Sequence, residues 1–287
     1  MEKSVVIVGA GIAGLSTGCY ARMNGYKTAI FEMHSIPGGL CTAWKRKGYT
    51  FDISMHMLVG SKTGPARQMW QELDVVEDQT FFYHDEVVRI EGGGKSLSIC
   101  TDPRRLEEQM LDLSPADAKL TKEFIRLLTG RGMMGAMSLK PAEMTGPFDT
   151  LKMLAAVLPL MGTFRKYGKL TIQEFAQRFQ DPFLRDAVRF VIDLPGWPML
   201  RFPMVGLAGF LKSAVLEAGV PLGGSQGVVF RMAEYYQKLG GEIHYKSRVK
   251  DVIIENDQAV GIRLEDGTEH RADIVVWAGD GHTVIFD

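Results

Sequence analysis

The stretch VVIVGAGIAGLSTGCYARMNGYKTAIFE, residues 5–32, decides the fold. Val5 to Val8 form a short β-branched run, and Gly9-Ala10-Gly11-Ile12-Ala13-Gly14 follows at once. Beyond it Leu15, Cys19 and Met23 recur at helical spacing, Gly25 stops the helix, and Lys27 to Phe31 supply a second strand that ends at Glu32. Strand, glycine turn, helix and strand make a βαβ unit of the dinucleotide-binding type. In such a unit the first glycine permits the tight turn, the second removes a side chain where backbone approaches a pyrophosphate, and the third lets the helix pack on its strand. The diphosphate then sits at the helix N-terminus, where free N–H groups and the dipole favour an anion. Glu32 lies where a carboxylate accepts from a ribose hydroxyl and repels a 2′-phosphate, so NADP does not suit this site.

Two other stretches imitate phosphate loops. Gly130-Arg131-Gly132-Met133-Met134-Gly135 has the same spacing but follows a helical pattern, FIRLLT, so its amides have no reason to converge. GGGKS at 92–96 lacks the first glycine of a P-loop, whose place falls on Arg89. Both read as loops.

The rest of the chain sorts by pattern. FFYH, VVRIE and SLSIC read as short strands, the last two joined across Gly92 to Lys95. Helices then dominate from about 102 to 218, with Asp102-Pro103, Ser114-Pro115 and Asp181-Pro182 as starts and Thr171 to Glu174 as a capping box. From Gln226 the α/β pattern returns with a helix stopped by Gly240-Gly241 and strands at EIHY, VKDVIIE, AVGIRL and DIVVWAG. The expected fold is α/β: a Rossmann-like nucleotide-binding domain built from both chain ends, 1–62 and 220–287, with an α+β lobe inserted at 63–219.

Composition fits an ordinary globular chain. With 287 residues, 46% of them hydrophobic, and 33 basic against 34 acidic side chains, the net charge of −1 points to no nucleic-acid partner. Cys19, Cys41 and Cys100 are widely spaced and form no CxxC, and no HExxH occurs, so neither a disulfide framework nor a metal site is expected. The glycines in the apolar VVIVGAGIAGL mark it as folded structure rather than a leader, and the expected location is cytoplasmic. LKMLAAVLPLMGTF at 151–164, broken by Lys152 and Pro159, is too short to span a membrane but mixes apolar and basic residues, which suits peripheral membrane contact.

A second glycine pair follows Glu32, in EMHSIPGGL. An NAD dehydrogenase needs nothing there. Taken together, residues 5–32, PGGL at 37–40, GYTFD at 48–52, LGGEIHYKSRV at 239–249 and VGIRLEDGTEHRADIVVWAGDGHTVIFD at 260–287 resemble the phytoene desaturase and retinol saturase group of FAD-dependent oxidoreductases. The resemblance implies FAD as cofactor and a C–C desaturation or saturation of an apolar polyene, carotenoid-like or retinoid-like. It assigns the diphosphate to Gly9, Ala10, Gly11, Ile12, Ala13 and Gly14, the adenosine ribose to Glu32 with Met33 beside it, and the flavin approach to Gly38, Gly39 and Leu40. Val249 matches a position whose backbone contacts adenine, and Ala278, Gly279 and Asp280 match the turn where the returning strand passes the cofactor. Leu40 departs from the pattern, since many relatives carry arginine there and gain a charge-assisted phosphate contact.

Such chemistry needs no protein nucleophile, because the flavin carries the hydride. His56 and Asp52, shortly after the flavin-approach motif, are the candidate acid or base, and each has a plain structural reading as a hydrogen-bonded side chain. Cys41 has no resolving partner and reads as inert. Met133, Met134, Met137, Met153 and Met161 could line an apolar substrate pocket or fill a core. Two further readings share the fold: a prenyl-lipid carrier resembling Rab GDP-dissociation inhibitors, which lack a working diphosphate loop, and an amine-oxidase-type flavoenzyme. No second strand-borne glycine fingerprint offers a place for NADPH, so electrons are expected to pass through the substrate pocket, a quinone or oxygen. The resembled family continues well past the match to WAGDGHTVIFD. The expectation is that this polypeptide alone holds FAD weakly, exposes apolar surface and turns over little unless a partner chain completes it.

Overall fold

The computed structural model describes residues 2–77, 81–130, 142–191, 199–212 and 217–286. The chain runs through β1 (Ser4–Val8), α1 (Ile12–Met23), β2 (Lys27–Phe31), the hairpin of β3 (Ala43–Arg46) and β4 (Tyr49–Asp52), then β5 (Leu58–Val59), α2 (Pro65–Glu72) and β6 (Phe81–Phe82). A second hairpin, β7 (Glu86–Gly92) and β8 (Lys95–Cys100), leads into α3 (Pro103–Leu113), α4 (Ala118–Thr129), α5 (Pro147–Val157), α6 (Met161–Tyr167), α7 (Ile172–Ala176), α8 (Pro182–Phe190) and α9 (Met204–Leu211). Last come β9 (Ala218–Pro221), α10 (Gly224–Lys238), β10 (Glu242–His244), β11 (Val249–Glu255), β12 (Gln258–Leu264), β13 (Glu269–Arg271), β14 (Ile274–Trp277) and α11 (Gly281–Phe286). Two compact units result, one of Met1–Leu58, Gln68–Phe82 and Val220–Asp287, the other of Val59–Arg67 and Tyr83–Gly219.

The first unit is built on a parallel sheet of order β10-β2-β1-β14. Strand residues alternate faces, and here both faces are buried, which is why β1 reads as an unbroken β-branched run. Val5 and Ile7 pack with Leu15 and Cys19 of α1 and with Val228, Met232 and Tyr236 of α10. Val6 and Val8, with Phe31, pack on the opposite side against Ile262 and Leu264 of the antiparallel sheet β11-β12-β13. That small sheet is the crossover carrying the chain from β10 to β14, on the far side of β1. Residues 68–77 and Phe81, expected with the middle lobe, pack in this unit because Leu73, Val75 and Val76 bury in its core and Arg231 Nε donates to the Asp74 carbonyl at 2.7 Å.

The second unit follows its start signals closely. Gly93 and Gly94, at φ +57° and +75°, make the β7–β8 turn. Asp102 accepts from Arg104 N–H, Asp181 from Leu184 N–H, and Thr171 and Glu174 form the reciprocal capping box. Ser114 is a correction: its hydroxyl donates to Asp117 at 2.8 Å, and α4 starts after a single 3₁₀ turn at Pro115–Asp117. The buried Asp117 carboxylate also accepts from the Gln180 and Asp181 N–H groups, tying α4 to the start of α8. Phe124, Phe175, Phe179, Leu106 and Met110 fill the core of this unit.

In the first unit α1 meets α10 at Gly18, where a Cβ would stand 2.7 Å from Tyr236 Cε2. Tyr236 cannot retreat, since its hydroxyl is hydrogen-bonded to Thr28 at 2.7 Å in the core. Gly18→Val is therefore expected to lower stability by ~1–3 kcal/mol through overpacking. Urea unfolding checks it: the midpoint falls while the slope stays the same.

Candidate dinucleotide-binding site

The glycine loop lies between β1 and α1, and its glycines have different physical reasons. Gly9 sits at φ +97° with its N–H on the Phe31 carbonyl at 2.8 Å, and a Cβ there would crowd the Ala278 carbonyl. A Cβ on Gly14 would overlap the Gly9 carbonyl oxygen, so the helix can sit this close to its strand only without one. Gly11 is different. Its backbone, φ −74° and ψ 179°, suits any residue, and nothing lies within 4 Å of where its Cβ would be. The fold itself does not require glycine there. That open position stands at the N-terminus of α1, which has no side-chain cap and no acid in its first turn. Ile12 packs toward the core, whereas Ala13 is exposed.

The second glycine pair reaches the first. Gly38 N–H donates to the Ala10 carbonyl at 2.9 Å, and Gly38 and Gly11 pair as an isolated parallel bridge. Gly38, at φ +136°, has Cys41 O 2.5 Å from where its Cβ would be, and Gly39, at φ +56°, has the Gly11 Cα at 3.5 Å from its own. The two backbones thus run side by side at the open position. Leu40, 82% exposed, adds no phosphate donor.

Glu32 is only 4% exposed and does something the sequence did not reveal. Oε2 accepts from Ala10 N–H and Oε1 from His34 N–H, each at 2.8 Å. A carboxylate oxygen has two acceptor directions, so each retains one for a ribose hydroxyl. The Glu32 backbone is held too, its N–H by the His244 carbonyl at 2.9 Å and its carbonyl by Ser247 N–H at 2.8 Å. Val249 begins β11 two residues further on, half-buried beside Val8 and Phe31, and Met33 is exposed next to Glu32. Across the loop, Ala278 N–H donates to the Val8 carbonyl at 2.9 Å, which sets Ala278 and Gly279 against Gly9. Asp280 is exposed, and the Thr283 N–H, which its carboxylate accepts at 3.0 Å, holds its carboxyl below the ordinary range.

The acid–base candidates are not brought together; among the described residues no hydrogen bond joins them. The Asp52 carboxylate takes both the N–H and the hydroxyl of Ser225 at the start of α10, and a Cβ on Gly224 would collide with it. Burial raises its pKa, and the Ser225 bonds with the Ser54 and Ile53 N–H groups outweigh that, leaving it lowered. It caps a helix as a carboxylate. His56 is exposed on the following loop. Burial pushes the Cys41 thiol up, as an inert cysteine requires. Met153 and Met161 are exposed, and Met133, Met134, Met137 and the loop 131–135 lie outside the described residues. No cluster of three or more metal-ligating side chains occurs among the described residues.

The residues present fit a dinucleotide diphosphate: a glycine with open space beside it, at an uncapped helix start, flanked by a second glycine backbone and a buried acid. The family described as NAD(P)-binding Rossmann-like domain matches residues 7–73. The chain is 26% identical over 287 residues to a phytoene desaturase (neurosporene-forming) of Rhodobacter capsulatus, covering 97% of this chain and 53% of that protein. It is 23% identical over 295 residues to an all-trans-retinol 13,14-reductase of Danio rerio, covering 96% and 47%. Among solved structures, an oxidoreductase from Methanosarcina mazei matches with a TM-score of 0.60 at 21% identity, over 96% of this chain and 58% of that one, a likeness of fold. The chain is a distant homologue of the phytoene desaturase and retinol saturase group of FAD-dependent oxidoreductases, and it spans about half the length of the curated relatives it matches.

The two glycine types separate by experiment. Gly14→Ala is expected to destabilise the fold by about 3 kcal/mol or more, because the clash is with backbone. Gly11→Ala should leave stability within ~0.5 kcal/mol of the parent and still abolish dinucleotide retention. Thermal unfolding without ligand, paired with ligand binding by calorimetry, reads both.

Proposed function

We propose that this chain carries the FAD-binding part of an oxidoreductase that desaturates or saturates C–C bonds of an apolar polyene. The observation that supports it most is the seam between Gly38-Gly39 and Gly11. An NAD-binding βαβ unit works without a second glycine backbone at the diphosphate position, whereas a flavin beyond the diphosphate needs the chain to pass close by. The names of the homologues, phytoene desaturase and retinol reductase, supply the substrate class.

Bound FAD supplies hydride transfer. Gly9 to Gly14 and the N-terminus of α1 hold the diphosphate, and the two free acceptor directions of Glu32 take the ribose hydroxyls. Met33 and Val249 flank the adenosine end, and Gly38, Gly39 and Leu40 with Ala278, Gly279 and Asp280 border the path toward the flavin. Asp52 is a positioning residue here, since it fastens the hairpin β3–β4 to α10, and α10 in turn backs Gly38 through Val229. His56 is the remaining candidate for moving a proton.

The protein is expected to bind added FAD, weakly, as a shift of the flavin spectrum on titration, and mass spectrometry of any cofactor carried through purification should find FAD. Glu32→Lys should empty the site and, by stripping the buried Ala10 N–H of its acceptor, lower stability by about 1–3 kcal/mol. Under anaerobic conditions an acyclic polyene in micelles should either bleach the oxidised flavin, as desaturation requires, or restore the colour of dithionite-reduced flavin, as saturation requires, and a primary amine should do neither. Release of NAD, or bleaching by the amine alone, contradicts the reading.

A further inference from the structure

β14 ends on a tryptophan whose ring and N–H have separate partners. Strand residues alternate faces, so Val276 and Ala278 turn toward the core under α1 and α10, and Val275 and Trp277 toward the small sheet β11-β12-β13. The Trp277 ring packs there against the cluster of Val6, Val8, Phe31, Ile262 and Leu264. An indole has one polar group, an N–H that can only donate. In this chain Nε1 reaches forward and donates to the Asp280 carbonyl at 2.9 Å. The bond ties the turn through Ala278, Gly279 and Asp280 to the strand that delivers it.

Gly279 is fitted to that bond. Its φ is not positive, so the backbone conformation does not call for glycine. The three atoms nearest to where its Cβ would stand all belong to the Trp277 indole: Nε1 at 3.2 Å, Cε2 at 3.4 Å and Cζ2 at 3.6 Å. The glycine therefore makes room for the ring. The turn is held at its ends as well, by Ala278 N–H on the Val8 carbonyl at 2.9 Å and by Thr283 N–H on the Asp280 carboxylate at 3.0 Å. Gly279 and Asp280 are exposed, so core packing does not restrain them, and the core-anchored indole does. The place of the turn gives this a purpose, since a Cβ on Gly9 would meet the Ala278 carbonyl oxygen at 3.2 Å, beside the first glycine loop. A segment already ordered in the free protein costs a ligand nothing to order, whereas a loose one weakens binding.

We propose that Trp277 is a positioning residue, which through its hydrogen bond to the Asp280 carbonyl presets the turn 278–280 for the flavin-bearing half of the cofactor. The inference rests on the FAD reading above and adds to it a residue that lies outside the glycine motifs. Calorimetric titration of the full chain with FAD and, separately, with ADP tests it, because ADP has the adenosine and diphosphate but neither the ribityl chain nor the flavin ring. Trp277→Phe keeps most of the ring packing and removes the donor. It should weaken FAD roughly three- to tenfold, the range of one lost hydrogen bond, and leave ADP within about twofold of the parent. Gly279→Ala leaves every core side chain as it is, crowds the indole and should show the same split. The two changes together should cost no more than the larger of them, because both act on one bond. Should Trp277→Phe not fold, as circular dichroism reads, Gly279→Ala alone carries the test. Equal losses of FAD and ADP, no loss of either, or losses that simply add in the double variant overturn the inference and leave the FAD reading standing. A parent that binds ADP but not FAD overturns both.

Discussion

One residue organises the site: the backbone of Ala10 is held on both sides, through its N–H and through its carbonyl. Its N–H goes to the buried Glu32 carboxylate and its carbonyl receives the Gly38 N–H. With Ala10 fixed, Gly11 must turn its open side to the N-terminus of α1, and the second glycine backbone must lie alongside. A buried carboxylate is costly unless its oxygens are hydrogen-bonded. Glu32 meets that condition through Ala10 and His34 N–H, and so the acid that would hold a ribose also shapes the loop that would hold the diphosphate.

The rest of the first unit keeps that arrangement in place. β1 delivers the loop, β14 returns beside it so that Ala278 meets Gly9, and β10 runs along β2 so that His244 and Ser247 hold the Glu32 backbone. These contacts come from residues more than 200 positions apart in sequence, as the pairing of Val8 with Trp277 shows. The cofactor region therefore depends on both the first and the last chain segments of the unit.

Local signals were legible and long-range ones were not. The β1–α1–β2 unit could be read from Val5 to Glu32 because each signal lies within a few residues of what it controls, and the same holds for Asp102, Asp181 and the Thr171 box. Ser114 misled because Asp117, three residues on, is a stronger acceptor and drew its hydroxyl away. The start of α10 was hidden because its cap is Asp52, over 170 residues earlier, acting on Ser225 beside a left-handed Gly223. That same partnership turned a candidate acid–base residue into a helix cap. β13 is three residues long and alternates no hydrophobic pattern, so only its pairing with β12 defines it. The apolar run at 151–164 gave its composition away, but only the structure shows that α5 hides none of it.

Hydrogen–deuterium exchange of the backbone amides, with and without saturating FAD, tests most directly whether the two glycine segments line one site. If they do, FAD slows exchange at residues 9–14 and at 38–41 together, with Glu32 and His34 alongside, while NAD⁺ leaves 38–41 unchanged. Protection confined to residues 9–14 with FAD, or the same pattern with NAD⁺ as with FAD, would contradict a flavin site.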